Sequence, residues 1–274
     1  MALVTMQDVL KVAEEKKIAI AAFTVDTLEV AEEIASVAEE KQLPAIMMVG
    51  QNTFKYNKLE KIASICRQIA NSTNAQLVLH LDHGASYEQV IQCLRNGFTS
   101  VMIDGSRLPL KENIRVTKEV TRAAHTVGVS VEELGAIGGT EDGMTAKANL
   151  VNVDDARCFL EEVTVEALAI GIGNAHGIYK STPNLAFDRL EQVAALGGPA
   201  LVLHGGSGIP DDMIRKAIVM GIRKINVATE VRLAFLEGFG LEVNSKDIYK
   251  AYQSAQAHAR KIISDKMSLF DTTK

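Results

Sequence analysis

Several features that would assign the chain to common protein classes are missing from its sequence. Only three of its 274 residues are cysteines, and Cys66, Cys93 and Cys158 are widely spaced with no CxxC pair. An odd, scattered set argues against a disulfide framework or a cysteine-based metal site. It is typical of a reducing compartment. No apolar stretch approaches the roughly 20 residues that span a bilayer. The first residues, MALVTMQDVLKVAEEKK, do not have the pattern of a signal peptide. We therefore expect a cytoplasmic protein.

The chain also lacks an excess of positive charge. Its formal net charge is −5, and acidic and basic residues are interspersed along the whole sequence. No basic face for nucleic acid is indicated, and no membrane partner is expected. Hydrophobic residues make up 47% of the chain, which is enough for a substantial core. No change in composition marks a boundary, so we expect a single domain over residues 1–274.

Eight short runs of branched apolar residues recur along the chain, separated by segments with helical spacing. Buried strands that alternate with amphipathic helices predict a parallel sheet covered by helices. Eight such units predict a (β/α)8 TIM barrel, with an extra N-terminal helix near 5–16 and a C-terminal helix near 246–268. A doubly wound open sheet is the alternative, but no strand–GxGxxG–helix unit is present. The runs lie at 18–23, 44–49, 76–81, 99–103, 129–134, 166–170, 199–203 and 222–227.

Most chemically useful side chains follow these runs directly. Barrel enzymes carry their chemistry at the C-terminal ends of the strands, so this distribution predicts an active site at that rim. A glycine-containing loop at 135–152 carries Glu141 and is a candidate lid, the alternative being a surface insertion. The other rim residues are Thr24, Asp26, Gln51, Asp82, His83, Asp104, Ser106, Glu132, Glu133, Asn174, His176, His204, Ser207, Asn226 and Glu230.

Three histidines at strand ends are each followed by glycine. His83, His176 and His204 come after the third, sixth and seventh runs, and only a barrel would bring them together. Three converging imidazoles suit a catalytic Zn²⁺ with an open coordination position. The alternative is three hydrogen-bonded structural histidines. His80 shares the strand parity of Asp82 and is a candidate for the barrel interior.

Two glycine- and hydroxyl-containing segments indicate a phosphate site. HGGSGIP (204–210) follows the seventh run and includes Ser207, and NVATE (226–230) follows the eighth run and includes Thr229. Barrels commonly bind phosphate with the loops after strands 7 and 8, using backbone N–H groups and a helix N-terminus.

Taken together, these motifs resemble those of the class II, zinc-dependent ketose-bisphosphate aldolases, in particular the fructose and tagatose bisphosphate branch. The similarity runs from about residue 3 to 268. It is dense at LHLDHG (79–84), SVMIDGS (100–106), GGTEDG (138–143), GNAHGIYKSTPNLAFDRL (173–190), LVLHGGSGIP (201–210) and KINVATE (224–230).

The resemblance implies that the protein is an enzyme that cleaves a ketose 1-phosphate to dihydroxyacetone phosphate and an aldehyde. It implies that His83, His176 and His204 bind zinc, that Asp82 handles the C4 hydroxyl proton, and that Glu141 exchanges the proton at the enediolate carbon. It also implies an alternative zinc position at Asp104 with Glu132 or Glu133, a nearby Na⁺ or K⁺, and a homodimer or homotetramer. The residues that it places around the substrate and its C1 phosphate are Gly177, Lys180, Gly205, Ser207, Asn226, Ala228 and Thr229.

The chain departs from the family pattern in places that concern the substrate. The family's VEAELG is VEELG (131–135) here, so either Glu132 or Glu133 can match the family glutamate. Where relatives have a basic residue for the distal phosphate, this chain has the neutral Gln256, with His258 and Arg260 nearby as candidates to reach the C6 group from an adjacent subunit.

Three readings of function stay open at this point. Fructose or tagatose 1,6-bisphosphate is the default substrate. The alternative is a ketose 1-phosphate with another C6 group, namely a sulfonate (as in 6-deoxy-6-sulfofructose 1-phosphate), a deoxy carbon or a carboxylate. The third is a non-catalytic sugar-phosphate-binding barrel, against which the presence of Asp82 and Glu141 argues, since binding alone needs neither.

Overall fold

The barrel is closed. The computed structural model describes residues 3–134, 150–179 and 181–273. Its eight strands are parallel and hydrogen-bonded in sequence order, and Ala21 of the first strand lies opposite both Ala45 and Ile225, which closes the sheet. The predicted TIM barrel is thereby confirmed and the open sheet excluded. The strands are β1 (Ile20–Thr24), β2 (Ala45–Val49), β3 (Leu77–Gly84), β4 (Ser100–Asp104), β5 (Ser130–Leu134), β6 (Ala167–Ala169), β7 (Ala200–Leu203) and β8 (Ile222–Val227).

Helices surround the barrel, and both predicted extra helices are present. None of the described helices is long and apolar enough to cross a membrane. They are α1 (Met6–Lys16), α2 (Leu28–Lys41), α3 (Gln51–Tyr56), α4 (Leu59–Asn71), α5 (Tyr87–Arg95), α6 (Leu110–Thr126), α7 (Val153–Glu162), α8 (Phe187–Ala194), α9 (Asp211–Val219), α10 (Thr229–Glu242) and α11 (Ile248–Phe270).

Helix α1 covers the N-terminal end of the barrel. It begins with a capping box, in which the side chains of Thr5 and Asp8 each bond the backbone N–H of the other. Its buried residues Met6 and Val9 belong to the same apolar cluster as Ile20 of β1, which points into the barrel. Closing this end leaves the C-terminal mouth as the open face of the barrel, where TIM barrels bind their substrates.

The C-terminal helix packs differently from the pattern expected of it. Helical spacing predicts one apolar stripe of Ile248, Tyr252, Ala255, Ala259 and Ile262, but Ile248 and Tyr252 are exposed. The buried stripe runs through Ala251, Ala255, Ala259 and Ile263. Small residues at intervals of four let α11 approach α10 closely, and a Cβ on Gly238 of α10 would lie 2.5 Å from the Ser254 carbonyl oxygen. The buried face is therefore the one whose small side chains permit close backbone contact.

A fully buried ion pair lies inside the barrel, below its open mouth. The Lys224 ammonium is 2.8 and 3.0 Å from the two carboxylate oxygens of Glu132, and both side chains are inaccessible to solvent. Burial by itself raises the pKa of Glu132, but Lys224, His204 and His80 together outweigh it and hold the pKa below its usual range. His80, hydrogen-bonded to Ser100 at 2.8 Å, is beside this pair. Burial lowers the pKa of His80 to about 3, so the ring is neutral.

Replacing only one partner of this ion pair should destabilise the barrel more than replacing both partners. Lys224→Met leaves the Glu132 carboxylate buried without its cation, and we expect a loss of about 3–5 kcal/mol in the free energy of unfolding. Lys224→Met combined with Glu132→Gln should recover part of that loss, because no unpaired charge then remains. Urea denaturation of the metal-free protein and its variants measures both. Strictly additive effects of the two substitutions would show that the pair is not coupled.

Candidate active site

A strained bulge at the end of β3 directs two consecutive side chains into the mouth of the barrel. Neighbouring residues of a strand normally point to opposite faces. The pairing of β3 with β4 shifts register between Leu81 and Gly84, and His83 has a left-handed backbone with φ of 51°. Such bulges re-aim side chains next to active sites, at a local cost of about 1–3 kcal/mol. Asp82 and His83 consequently line the same cavity, which has a volume of about 690 Å³.

The three predicted histidines meet at this cavity, where His83 and His176 line the wall. Their candidate ligand nitrogens all lie within 4.8 Å of one another. Their ring centroids are 5.0 to 5.6 Å apart, and each pair of rings is inclined edge to face. His204 is buried, whereas His83 and His176 are partly accessible. The barrel thus brings together three side chains that are 93 and 28 residues apart in sequence.

Carboxylates orient two of the rings. His83 Nδ1 donates to Asp104 Oδ2 at 2.7 Å, and His204 Nε2 donates to Glu132 Oε1 at 2.9 Å. His83 Nε2 and His204 Nδ1 then face each other at 3.2 Å. In the metal-free protein a proton on His83 satisfies both nitrogens, and a bound metal ion can take the place of that proton. Metal-binding histidines generally have such carboxylate partners, so the residues fit a divalent metal.

The charges around the cluster balance one another. Burial lowers the pKa of His83, but Asp82 and Asp104 outweigh it and raise the pKa to about 9 in the metal-free protein. Burial raises the pKa of Asp82, yet His83 and His204 hold it below its usual range. Asp82 is therefore ionised and able to accept a proton. The Asn226 amide donates to Asp82 Oδ1 at 3.4 Å, which orients the carboxylate.

The two candidate glutamates of β5 face opposite sides of the sheet. Glu132 points into the barrel and bonds His204, whereas Glu133 lies on the side of α6, next to Asn113. Burial raises the pKa of Glu133 well above its usual range, and the neighbouring Asn113 opposes this only in part. Of the two, Glu132 is the one beside the histidines. In this arrangement Asp104 and Glu132 act as acceptors for the histidines, and the alternative metal position stays a prediction.

The predicted phosphate residues lie in the same cavity. Those within the described part of the chain are Gly177, Gly205, Ser207, Ala228 and Thr229, and all five line it. Gly205 has φ of 61°, and a Cβ there would lie 2.1 Å from the Ala175 carbonyl oxygen. Only glycine fits this approach of the loop after β7 to the loop after β6. The glycine backbone of this loop therefore lines the cavity without a side chain, at a point where an anion could bind.

Several predicted residues are placed elsewhere. Glu141 and Lys180 lie outside the described residues. Arg260 lies on α11, where its guanidinium pairs with Glu33 and Glu40 of α2. His258 Nδ1 donates to the Ser254 carbonyl oxygen at 2.8 Å. Neither Arg260 nor His258 lines the cavity, so their role toward an adjacent subunit stays a prediction.

Some residues of the cavity were not found from the sequence. Lys55 of α3, Arg107 after β4 and Arg232 of α10 supply cationic side chains to its wall. Lys224 supports the cluster from below through Glu132. Lys55 and Arg107 follow strand ends closely in sequence, which was the available signal. Lys224 lies within a buried strand. The only sequence signal for its role was its charge, because a buried ammonium needs a partner of opposite charge.

Comparisons with known proteins agree with this geometry. The chain matches the family model described as "Fructose-bisphosphate aldolase class-II" over residues 4–274. It is 39% identical over 280 residues to a fructose-bisphosphate aldolase of Streptococcus pyogenes serotype M1, covering 100% of this chain and 91% of the relative. It is also 39% identical over 254 residues to a 6-phospho-5-dehydro-2-deoxy-D-gluconate aldolase of Halalkalibacterium halodurans, covering 91% and 88%.

Solved structures are similar over nearly the whole chain. The YdjI aldolase of Escherichia coli K12 superimposes with a TM-score of 0.87 at 28% identity, covering 98% of this chain and 97% of that one. A putative fructose-1,6-bisphosphate aldolase of Coccidioides immitis gives 0.85 at 26% identity, covering 98% and 96%. The chain therefore belongs to the class II fructose-bisphosphate aldolases, a family of metal-dependent aldehyde-lyases.

Proposed function

We propose that the protein is a zinc-dependent aldolase that reversibly cleaves a ketose 1-phosphate to dihydroxyacetone phosphate and an aldehyde. Fructose or tagatose 1,6-bisphosphate is the proposed substrate. The observation that carries the proposal is the pair of imidazole nitrogens, His83 Nε2 and His204 Nδ1, that face each other at 3.2 Å beside the ionised Asp82. Metal binding alone would not require a base at this place.

His83, His176 and His204 would hold the zinc. When bound, Zn²⁺ acts as a Lewis acid on the oxygens next to the bond that breaks. Neutral imidazole ligands leave the ion its full charge, which three carboxylates would offset. The carboxylates of Asp104 and Glu132 would accept hydrogen bonds from the ligand histidines and fix the orientation of their rings. The ligand geometry then exists before the substrate binds.

Asp82 would take the proton of the C4 hydroxyl group as the C3–C4 bond breaks. It is ionised, it lies next to His83 and it lines the cavity, which is what a general base requires. Asn226, hydrogen-bonded to Asp82, would hold the substrate oxygens near the new enediolate. Glu141 would return a proton to the enediolate carbon, and the loop at 135–152 that carries it would cover the site and exclude water.

The C1 phosphate would bind on the side of β6, β7 and β8. Gly177, Gly205, Ser207, Ala228 and Thr229 line that part of the cavity, and we add Lys180 from the family resemblance. Backbone N–H groups and hydroxyls are the donors that such barrel sites use. A Na⁺ or K⁺ near the glycine carbonyls would balance part of the phosphate charge.

The relatives favour a bisphosphate over a substrate with an uncharged C6 group. Fructose-bisphosphate aldolase is the name of the streptococcal relatives. The other curated relative acts, by its name, on a phosphorylated gluconate. Both names describe substrates with an anionic group at each end. We therefore keep the bisphosphate as the proposed substrate and the carboxylate, sulfonate and deoxy analogues as alternatives.

We further propose a single-domain cytoplasmic enzyme that works as a homodimer or homotetramer. The free thiol of Cys158, which is exposed, suits a reducing compartment. Exposed apolar side chains along α10 and the start of α11 support self-association, because monomers rarely leave such a row in solvent. They are Leu233, Leu236, Leu241, Val243, Ile248 and Tyr249.

Metal removal tests the zinc assignment. Treatment with a chelator should abolish release of dihydroxyacetone phosphate, and one equivalent of Zn²⁺ per chain should restore it. His204→Ala should bind less than one equivalent, because it removes a ligand. His125→Ala, which alters a histidine paired with Glu166 outside the cavity, should bind the metal normally. Elemental analysis with a coupled enzyme assay measures both quantities. Full activity of the metal-free protein would overturn the assignment.

Asp82→Ala tests the proposed base. We expect cleavage to slow on the order of 10³-fold or more, because the C4 hydroxyl loses its proton acceptor. Bound zinc should remain at one equivalent, because Asp82 is not a ligand. Asp154→Ala, an exposed carboxylate outside the cavity, serves as the control. If Asp82→Ala lost the metal together with activity, the residue would have a structural role.

Glu141→Ala tests the second proton transfer separately. Exchange of the dihydroxyacetone phosphate C–H proton with D₂O, followed by NMR, should slow by roughly 10²–10⁴-fold. This half-reaction needs no aldehyde, so it reports on the enediolate step alone. Exchange at the wild-type rate would assign the proton transfer to another residue.

A further inference from the structure

The backbone carbonyl group of His83 lies where the regular strand ladder is interrupted. β2 ends at Val49, which pairs with Leu81, and the pairing of β3 with β4 shifts register between Leu81 and Gly84. His83 lies within this shift and has a left-handed backbone with φ of 51°. A half-buried carbonyl in such a bulge needs a donor from another part of the chain. Gln51 supplies it, since its Nε2 donates to the His83 carbonyl oxygen at 2.7 Å.

Gln51 is itself held by a second glutamine. Gln51 Nε2 also donates to Gln89 Oε1 at 2.8 Å, and Gln89 Nε2 donates back to Gln51 Oε1 at 3.1 Å. Gln89 Oε1 accepts a further hydrogen bond from the Ala85 N–H at 2.8 Å. The two side-chain amides therefore link the carbonyl of His83 to the N–H of Ala85. The glutamine pair, Gln51 with Gln89, thus bonds the backbone on both sides of Gly84.

The roles of the two amides are set by the backbone groups that they meet. The His83 carbonyl can only accept and the Ala85 N–H can only donate, so Gln51 must present a donor and Gln89 an acceptor. Each glutamine must also give one hydrogen bond to the other. A carboxylate at position 51 would instead face two oxygens, the His83 carbonyl and Gln89 Oε1. The sequence signal was slight, because Gln89 is the third residue of α5, where glutamine commonly serves as a helix cap.

The opposite side of the site has a similar contact. Asn174 follows β6 and is buried, and its Nδ2 donates to the His204 carbonyl oxygen at 2.9 Å. Its Oδ1 accepts from the Ile172 N–H at 2.8 Å. His83 and His204 come from β3 and β7, which are opposite strands of the closed barrel. In both cases an amide that follows the preceding strand bonds the carbonyl of the histidine. Carboxylates orient the two rings, and amides fix the backbone that carries them.

We propose that the glutamine pair positions His83 and Asp82 for metal binding and catalysis by holding the β3 bulge in its left-handed conformation. The inference rests on the proposed metal-dependent aldolase function, and it adds two positioning residues that act through a metal ligand and the base. Without Gln51 the His83 carbonyl loses its donor, and the backbone is free to relax toward a regular strand. In a regular strand His83 and Asp82 would point to opposite faces.

Gln51→Met tests the proposal, because methionine has a similar length and no donor. We expect the affinity of the folded protein for Zn²⁺, measured by competition with a chromophoric chelator, to fall by roughly 10–100-fold. Co²⁺ bound in place of Zn²⁺ should have a changed visible absorption spectrum, since its d–d bands report ligand geometry. With Zn²⁺ saturating, kcat should fall on the order of 10–100-fold with little change in KM, because the proposed phosphate residues follow other strands. Gln68→Met, which alters an exposed glutamine of α4 bonded to Ser64, is the matched control.

Gln89→Met and the double variant test the coupling within the pair. Gln89→Met leaves the bond from Gln51 to His83 in place, so its loss of Zn²⁺ affinity should be smaller than that of Gln51→Met. The loss in the double variant should be smaller than the product of the two single losses, because both residues belong to one hydrogen-bond network. Losses that simply multiply would show that Gln89 acts independently, which would overturn the proposed pair.

Urea denaturation of the same samples separates positioning from stability. A folded Gln51→Met protein that binds Zn²⁺ as tightly as the wild type overturns the inference and leaves the aldolase function intact. If Gln51→Met does not fold, Gln51→Asn takes its place, because its amide is one methylene shorter, and it should show the same loss of affinity. A wild type that binds no Zn²⁺ would instead overturn the proposed metal site and the aldolase function that depends on it.

Discussion

The active site depends on the fixed orientation of two imidazole rings. His83 and His204 each give one ring proton to a carboxylate, and the remaining nitrogens are left facing each other at 3.2 Å. In the metal-free protein the pKa of His83 is raised to about 9, so a proton lies between these nitrogens, and a metal ion can take its place. The protein holds this arrangement because Asp104 and Glu132 are themselves fixed, Glu132 by a buried ammonium from Lys224. The folding free energy of the barrel thus maintains a site that is complementary to a metal ion.

The same requirement explains the local strain at the end of β3. A regular strand would point either Asp82 or His83 away from the cavity, and the proposed chemistry needs both. The bulge and the left-handed backbone of His83 bring them to one side. Glycine at position 84 makes this possible, because a Cβ there would lie 2.1 Å from the Met102 carbonyl oxygen. Local distortion is here compensated by the surrounding parallel sheet.

The cavity wall combines glycine backbone and hydroxyl groups with cationic side chains. Gly205, Ser207 and Thr229 follow β7 and β8, and Lys55, Arg107 and Arg232 carry the positive charge. Strand order fixes the positions of these groups, since β3 and β7, which place His83 and His204, lie on opposite sides of the closed barrel.

The sequence alone determined the barrel fold and the position of the three histidines, through its apolar runs and its histidine–glycine pairs. Eight apolar runs predicted all eight strands within a few residues, because buried parallel strands must be apolar on both faces. The rim position of His83, His176 and His204 followed from the ends of those runs. Tertiary structure alone decided the rest. Adjacent Glu132 and Glu133 could be separated only by the face of the sheet that each one meets, and Lys224 found its role only through a partner 92 residues away. Arg260 pairs with glutamates of α2, because pairing between distant charges depends on which helices become neighbours.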